Sequence, residues 1–127
     1  MGDIHHVDQV LTGLRVIGMI KEGQKVSVRD GLLNIDMKKR GVFHGLFRWI
    51  NNDNRQSTLT YIRNVVSNAM VIADKMPEHL TAIDDGLDKT LTGLSALAVT
   101  YNDDAAVTAS ITVLKDRIVS YRKNIAQ

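Results

Sequence analysis

The stretch Arg55-Gln56-Ser57-Thr58-Leu59-Thr60-Tyr61-Ile62-Arg63-Asn64-Val65-Val66-Ser67-Asn68-Ala69-Met70-Val71-Ile72-Ala73-Asp74-Lys75-Met76 decides the fold. Its apolar side chains recur at Leu59, Ile62, Val66, Ala69, Ala73 and Met76, in alternating steps of three and four. Residues at that spacing share one face of an α-helix, and the alternation makes a heptad seam of the kind that packs on other helices. Val65 and Ile72 widen the stripe. The spacing predicts one long helix ending near Lys75. Ahead of it, Asn51-Asn52-Asp53-Asn54 is a run of turn and N-cap formers. Behind it, Pro77 cannot continue a helix but suits the first turn of the next.

The same pattern recurs downstream. Leu80, Ile83, Leu87, Leu91, Leu94, Leu97 and Tyr101 predict a second long helix, and Val107, Ile111, Leu114, Ile118, Tyr121 and Ile125 a third. Asn102-Asp103-Asp104 breaks the two, its aspartates placed to cap a positive dipole end. Helices of about 20 residues span about 30 Å, and short breaks make sequential neighbours antiparallel.

Upstream, residues 4–21 carry a helical stripe through Val7, Leu14, Ile17 and Ile20, with Asp3 as the expected N-cap and Gly23 as the stop. Lys25-Val26-Ser27-Val28-Arg29-Asp30-Gly31-Leu32-Leu33-Asn34-Ile35-Asp36 then predicts a β-hairpin, because Asp-Gly favours a two-residue turn with positive φ. That turn sets Arg29 opposite Leu32, Val28 opposite Leu33, Val26 opposite Ile35 and Lys25 opposite Asp36. Val26, Val28, Leu33 and Ile35 fall on one side and need cover. Val42–Ile50 has the spacing of a short helix. The expected fold is mainly α: a three-helix antiparallel bundle preceded by an N-terminal helix, a β-hairpin and a short helix. It is read as a single domain over 1–127, with 1–52 as a cap or arm and 53–127 as the three long helices.

Composition narrows the function. The chain has 127 residues, 44% hydrophobic and 24% charged, with a net charge of +2. That suits one soluble domain and excludes a general polyanion binder. Without cysteine there is no disulfide, thiolate nucleophile or zinc-thiolate site. No apolar run approaches the roughly 20 residues of a membrane span, and the N-terminus lacks the pattern of a signal peptide, so the expected setting is cytoplasmic. Charge is unevenly placed. Lys38, Lys39, Arg40, Arg48, Arg55 and Arg63 face one acid, Asp53, in their stretch, whereas Asp74 to Asp104 is acidic.

No Gly-x-Ser-x-Gly elbow, Ser-x-x-Lys pair or phosphate-binding glycine loop is present. His5 and His6 point about 100° apart on a helix and clamp one metal poorly. Asp84, Asp85 and Asp88 read as a solvated face beside Lys89 rather than a cation site. Gly41-x-x-x-Gly45 is a candidate for close packing. No catalytic residue, metal site or cofactor is expected, and the chain is read as non-enzymatic. The candidate chemistry is a binding cluster: Lys38, Lys39, Arg40, Arg48, Trp49, Arg55, Gln56 and Thr58, with Tyr101 as a stacking partner. It joins guanidinium groups, the only Trp and a helix N-terminus, which suits a small phosphorylated ligand. The competing reading makes Trp49 core and the arginines surface or interface pairs. Extended nucleic acid fits poorly, since no helix carries a sustained basic face. Lys115, Arg117, Arg122 and Lys123 add a modest second patch.

Arg48-Trp49-Ile50-Asn51-Asn52-Asp53-Asn54-Arg55, Thr58-Leu59, Gly93-Leu94 through Thr100-Tyr101, Asp104 and the hairpin stretch from Gly23-Gln24-Lys25-Val26-Ser27 through Leu33-Asn34-Ile35-Asp36 resemble small uncharacterised accessory proteins of bacteriophages and large DNA viruses. The resemblance implies one of two roles. One is a non-catalytic oligomer in the host cytoplasm that sequesters a nucleotide immune signal, a form of host immune evasion. The other is a structural or assembly module of the virus particle without a small-molecule ligand. A homo-oligomer is expected separately, because the hairpin's apolar side and the Val65–Ile72 stripe exceed the needs of one three-helix core.

Overall fold

A computed structural model describes the backbone over residues 2–29, 31–36 and 55–126, and side chains over 6–29, 31–35 and 55–125. Element order is α1 (Gly2–Gly18), β1 (Lys25–Arg29), β2 (Leu32–Asp36), α2 (Arg55–Lys75), a 3-10 turn at Pro77–His79, α3 (Leu80–Thr100) and α4 (Ala105–Ala126). The fold is mainly α, with an antiparallel hairpin ahead of the long helices. The predicted short helix at Val42–Ile50 lies outside the described residues. Among the described residues no helix is long and apolar enough to cross a membrane.

The α2 seam is buried along its length. Ile62, Val66 and Ala69 are fully enclosed, and Leu59, Val65, Ile72 and Ala73 nearly so. Pro77 ends the seam by opening the 3-10 turn, whose preceding residue Met76 leaves helical geometry at φ −130°. Ile83, Leu87, Leu94 and Leu97 of α3 and Val107, Ile111, Leu114 and Ile118 of α4 complete the core. Asp104 caps α4: its Oδ1 accepts from the Val107 N–H at 3.1 Å.

The hairpin takes the expected register, from Lys25 opposite Asp36 to Arg29 opposite Leu32. Gly31 supplies the positive φ, +77°. Val26 is buried in the common core, and Leu33 and Ile35 pack against it.

Helix α1 begins at Gly2, ahead of Asp3, so Asp3 lies within the first turn and not at its N-cap. The helix ends at Gly18, and Gly23, with φ 86°, turns the chain afterwards. It lies in a groove between α3 and α2, with Val10, Leu14 and Ile17 inside. Two glycines of α3, seven residues apart, allow this approach. A Cβ on Gly93 would overlap the backbone carbonyl of Ile17, and one on Gly86 would come 2.7 Å from Leu14 Cδ1. The same helix covers the surplus stripe of α2: a Cβ on Gly13 would sit 3.2 Å from Val65 Cγ1. Part of the apolar excess that the sequence points to another subunit is met within the chain: Val26, Val65 and Ile72 are buried, whereas Val28, Leu33 and Ile35 are half-buried.

Candidate functional site

Of the predicted binding residues, Lys38, Lys39, Arg40, Arg48 and Trp49 lie outside the described residues. The other four sit at or near the start of α2 or at the end of α3, and three of them meet. Antiparallel geometry makes Arg29–Leu32 the closing hydrogen-bonded pair of a two-residue turn, so the N–H and C=O of Val26 point out of the ladder. Both find side-chain partners. The Val26 N–H donates to the Tyr101 hydroxyl at 3.2 Å, and the Thr58 hydroxyl donates to the Val26 carbonyl at 3.4 Å. Thr58 and Tyr101 are 1% and 3% exposed, so both contacts are made away from water. Nearby, the Gly23 N–H donates to Thr100 Oγ1 at 2.9 Å.

Arg55 lies over this joint. Its guanidinium carbon sits 4.5 Å from the Tyr101 ring centre. One of its nitrogens reaches Asp104 at 3.2 Å and Asp103 at 3.6 Å. The Asp104 carboxyl is held below its ordinary range, first by the Val107 N–H and then by Arg55. The Tyr101 face that a base would use is therefore taken by Arg55, and the charge that a phosphate would use is shared with two carboxylates. These contacts join the N-terminal ends of α2 and α4 to β1.

Gln56, the fourth, faces elsewhere. It opens a groove of about 320 Å³ between α2 and α4. The Arg55–Asp104 pair ties the starts of the two helices together, so they run side by side in the same direction. Gln56, Thr60 and Arg63 line one wall at steps of four and three. Ser110, Val113 and Arg117 line the other, over a floor of Leu59 and Leu114. No acid is among the lining residues. Among the described residues neither Arg63 nor Arg117 has an ion-pair partner. Two unpaired guanidinium groups, hydroxyls, a carboxamide and an apolar floor match an anion with an apolar part. Arg63 and Arg117 appear in the sequence only as members of charge-rich stretches. The signal that could have joined them is the 56–60–63 spacing on the face of α2 away from its seam.

The C-terminal basic patch divides in space. Arg122 turns to α3, where its Nε and a terminal nitrogen each donate at 2.9 Å, to Asp84 and Asp88 respectively. Asp85 pairs with Lys89 at 3.2 Å. The acidic cluster is thus an interhelical clamp beside a surface pair. Among the described residues no three His, Asp or Glu side chains group as a metal set.

A larger cleft, about 650 Å³, lies among α1, β2 and α2. Its polar lining is mostly neutral and includes Gln9, Asn34, Tyr61, Asn64 and Asn68. Burial pushes the Tyr61 hydroxyl above its ordinary pKa.

Comparison of the chain with protein-family models, with curated proteins and with solved structures finds no match.

Proposed function

We propose that this chain is a non-catalytic accessory protein that binds and sequesters a small anionic, nucleotide-like ligand, with the groove between α2 and α4 as the seat. The observation that carries the reading is the pair Arg63 and Arg117, unpaired among the described residues and set on opposite walls of a groove without acids. Guanidinium forks suit phosphate oxygens. Leu59, Val113 and Leu114 offer an apolar seat for a base, and Gln56, Thr60 and Ser110 offer hydrogen bonds to its edge or to a sugar. Viral origin and an immune-signalling ligand follow from the resemblance of the sequence and belong to the same proposal, as do action in the host cytoplasm and a homo-oligomeric state.

A thermal-shift panel of mono-, di- and cyclic nucleotides tests it. A ligand at 100 times its Kd adds about 2.7 kcal/mol of stability. For a domain of this size that raises Tm by about 10 °C. The rise should disappear in Arg63→Ala combined with Arg117→Ala. No shift with any nucleotide would refute the reading.

A structural or assembly role without a small ligand is the second reading. It is favoured by Val113, 69% exposed in the middle of the same groove, and by exposed Val71 and Val99. Light scattering separates the two: assembly that depends on Val113 and is indifferent to nucleotide supports this second role.

A further inference from the structure

We propose that the 650 Å³ cleft among α1, β2 and α2 binds an extended peptide segment of a partner protein, which adds to the outer edge of β2 as a third strand. The observed register turns the N–H and C=O of Val26 and Val28 out of the hairpin on one side, and those of Leu33 and Ile35 out on the other. On the β1 side, Thr58 and Tyr101 satisfy Val26. On the β2 side, nothing among the described residues pairs with Leu33 or Ile35. Such an edge is a template for another strand unless something covers it.

The cleft meets this edge at Leu33. Leu32, Leu33 and Asn34 all line it, although their side chains alternate between the two faces of the hairpin. Across it stand Asn64 and Asn68, one turn apart on α2, both exposed and without a hydrogen-bond partner among the described residues. A carboxamide both donates and accepts, so it matches the N–H and C=O of a peptide. Val10 and Val65 give an apolar floor where alternate side chains of a strand would rest. Gly13 keeps the floor tight, since a Cβ there would sit 3.4 Å from the Tyr61 hydroxyl oxygen. The lining holds one carboxylate, Asp8, and no Lys or Arg. The occupant is therefore an uncharged extended segment that tolerates a Lys or Arg beside Asp8, and an acidic segment is disfavoured. This chemistry is unlike that of the basic groove, and the two sites are independent.

The test starts from a phage-displayed library of random heptapeptides selected on the whole protein. The best sequence is then synthesised, and its affinity measured by fluorescence anisotropy. Asn64→Arg combined with Asn68→Arg should weaken binding at least tenfold, with an unchanged melting curve because both positions are exposed. N-methylation of alternate peptide amides should weaken it equally on the unaltered protein, as it removes the strand's donors. Arg63→Ala combined with Arg117→Ala should leave it unchanged. Failure to enrich any sequence overturns the proposal. So does retained affinity after either the asparagine substitutions or N-methylation, or a loss caused by the arginine substitutions.

Discussion

The backbone N–H of Val26 donates to the hydroxyl of Tyr101 at 3.2 Å across 75 residues of sequence, inside the core. That bond fastens the hairpin to the end of α3. Tyr101→Phe keeps the ring, and with it the Arg55 stack, but leaves a buried donor without a partner. Such a loss costs about 1–3 kcal/mol. Urea unfolding should show that drop with an unchanged m-value; equal midpoints would mean that water or a local shift replaces the hydroxyl.

The two glycine sites should respond by different mechanisms. Gly93→Ala places a methyl group against the Ile17 carbonyl, so α1 must move off α3. Overpacking of this kind costs about 1–3 kcal/mol or more. Gly31→Ala meets nothing within 4 Å, yet holds φ at +77°. Its cost is purely conformational, about 1–2 kcal/mol. Hydrogen exchange tells them apart: faster exchange along α1 for the first, and only local change at the turn for the second.

Asp104 should give the acid limb of stability a visible component. Its pKa is lowered in the fold, by the Val107 N–H first and by Arg55. A depressed carboxylate contributes stability that is present above its ordinary value of 3.8 and lost as pH falls through the folded value. Asp104→Asn retains an N-cap oxygen but not the charge. The gap in Tm between wild type and this variant should therefore close below about pH 4. A gap independent of pH would contradict the role of the charge.

Tyr121 should act at the alkaline end. Burial first, then Asp74, raises its pKa above 10.0; its hydroxyl lies 3.2 Å from both the Met70 carbonyl and Asp74 Oδ1. A raised acid contributes stability that is whole below the unfolded value and lost as pH rises through the folded one. Tyr121→Phe should be less stable than wild type at neutral pH, with the difference shrinking above about pH 10.

The hairpin register was legible to the residue, because a two-residue Asp-Gly turn and a period of two leave one alignment that buries Val26 with Leu33 and Ile35. The three long helices were legible for a similar reason, since heptads and Pro77 are local signals. The seating of α1 was not. It depends on Gly86 and Gly93 meeting Leu14 and Ile17, and a glycine inside a helical pattern does not say which neighbour it admits; Gly41 and Gly45, whose spacing is the plainer packing signal, lie outside the described residues. The candidate site was less legible than the fold. Arg55, Thr58 and Tyr101 do come together, but around Val26 and Asp104, because a buried strand edge needs partners that no local pattern announces. Gln56 alone of the four faces the groove. Arg63 and Arg117 become a pair only when the Arg55–Asp104 contact sets α2 and α4 side by side.

The proposed function rests on Arg63 and Arg117 holding an anionic nucleotide together. Its most direct test is calorimetric titration of the whole protein with the nucleotide that gives the largest thermal shift, at low and high salt, beside Arg63→Ala and Arg117→Ala singly and together. The expected result is saturable binding that weakens with salt, falls about tenfold or more with each substitution as a charge-assisted contact worth about 1.5–3 kcal/mol is lost, and is abolished when both are made. Binding of equal strength in the double variant, or none in the wild type, would contradict it.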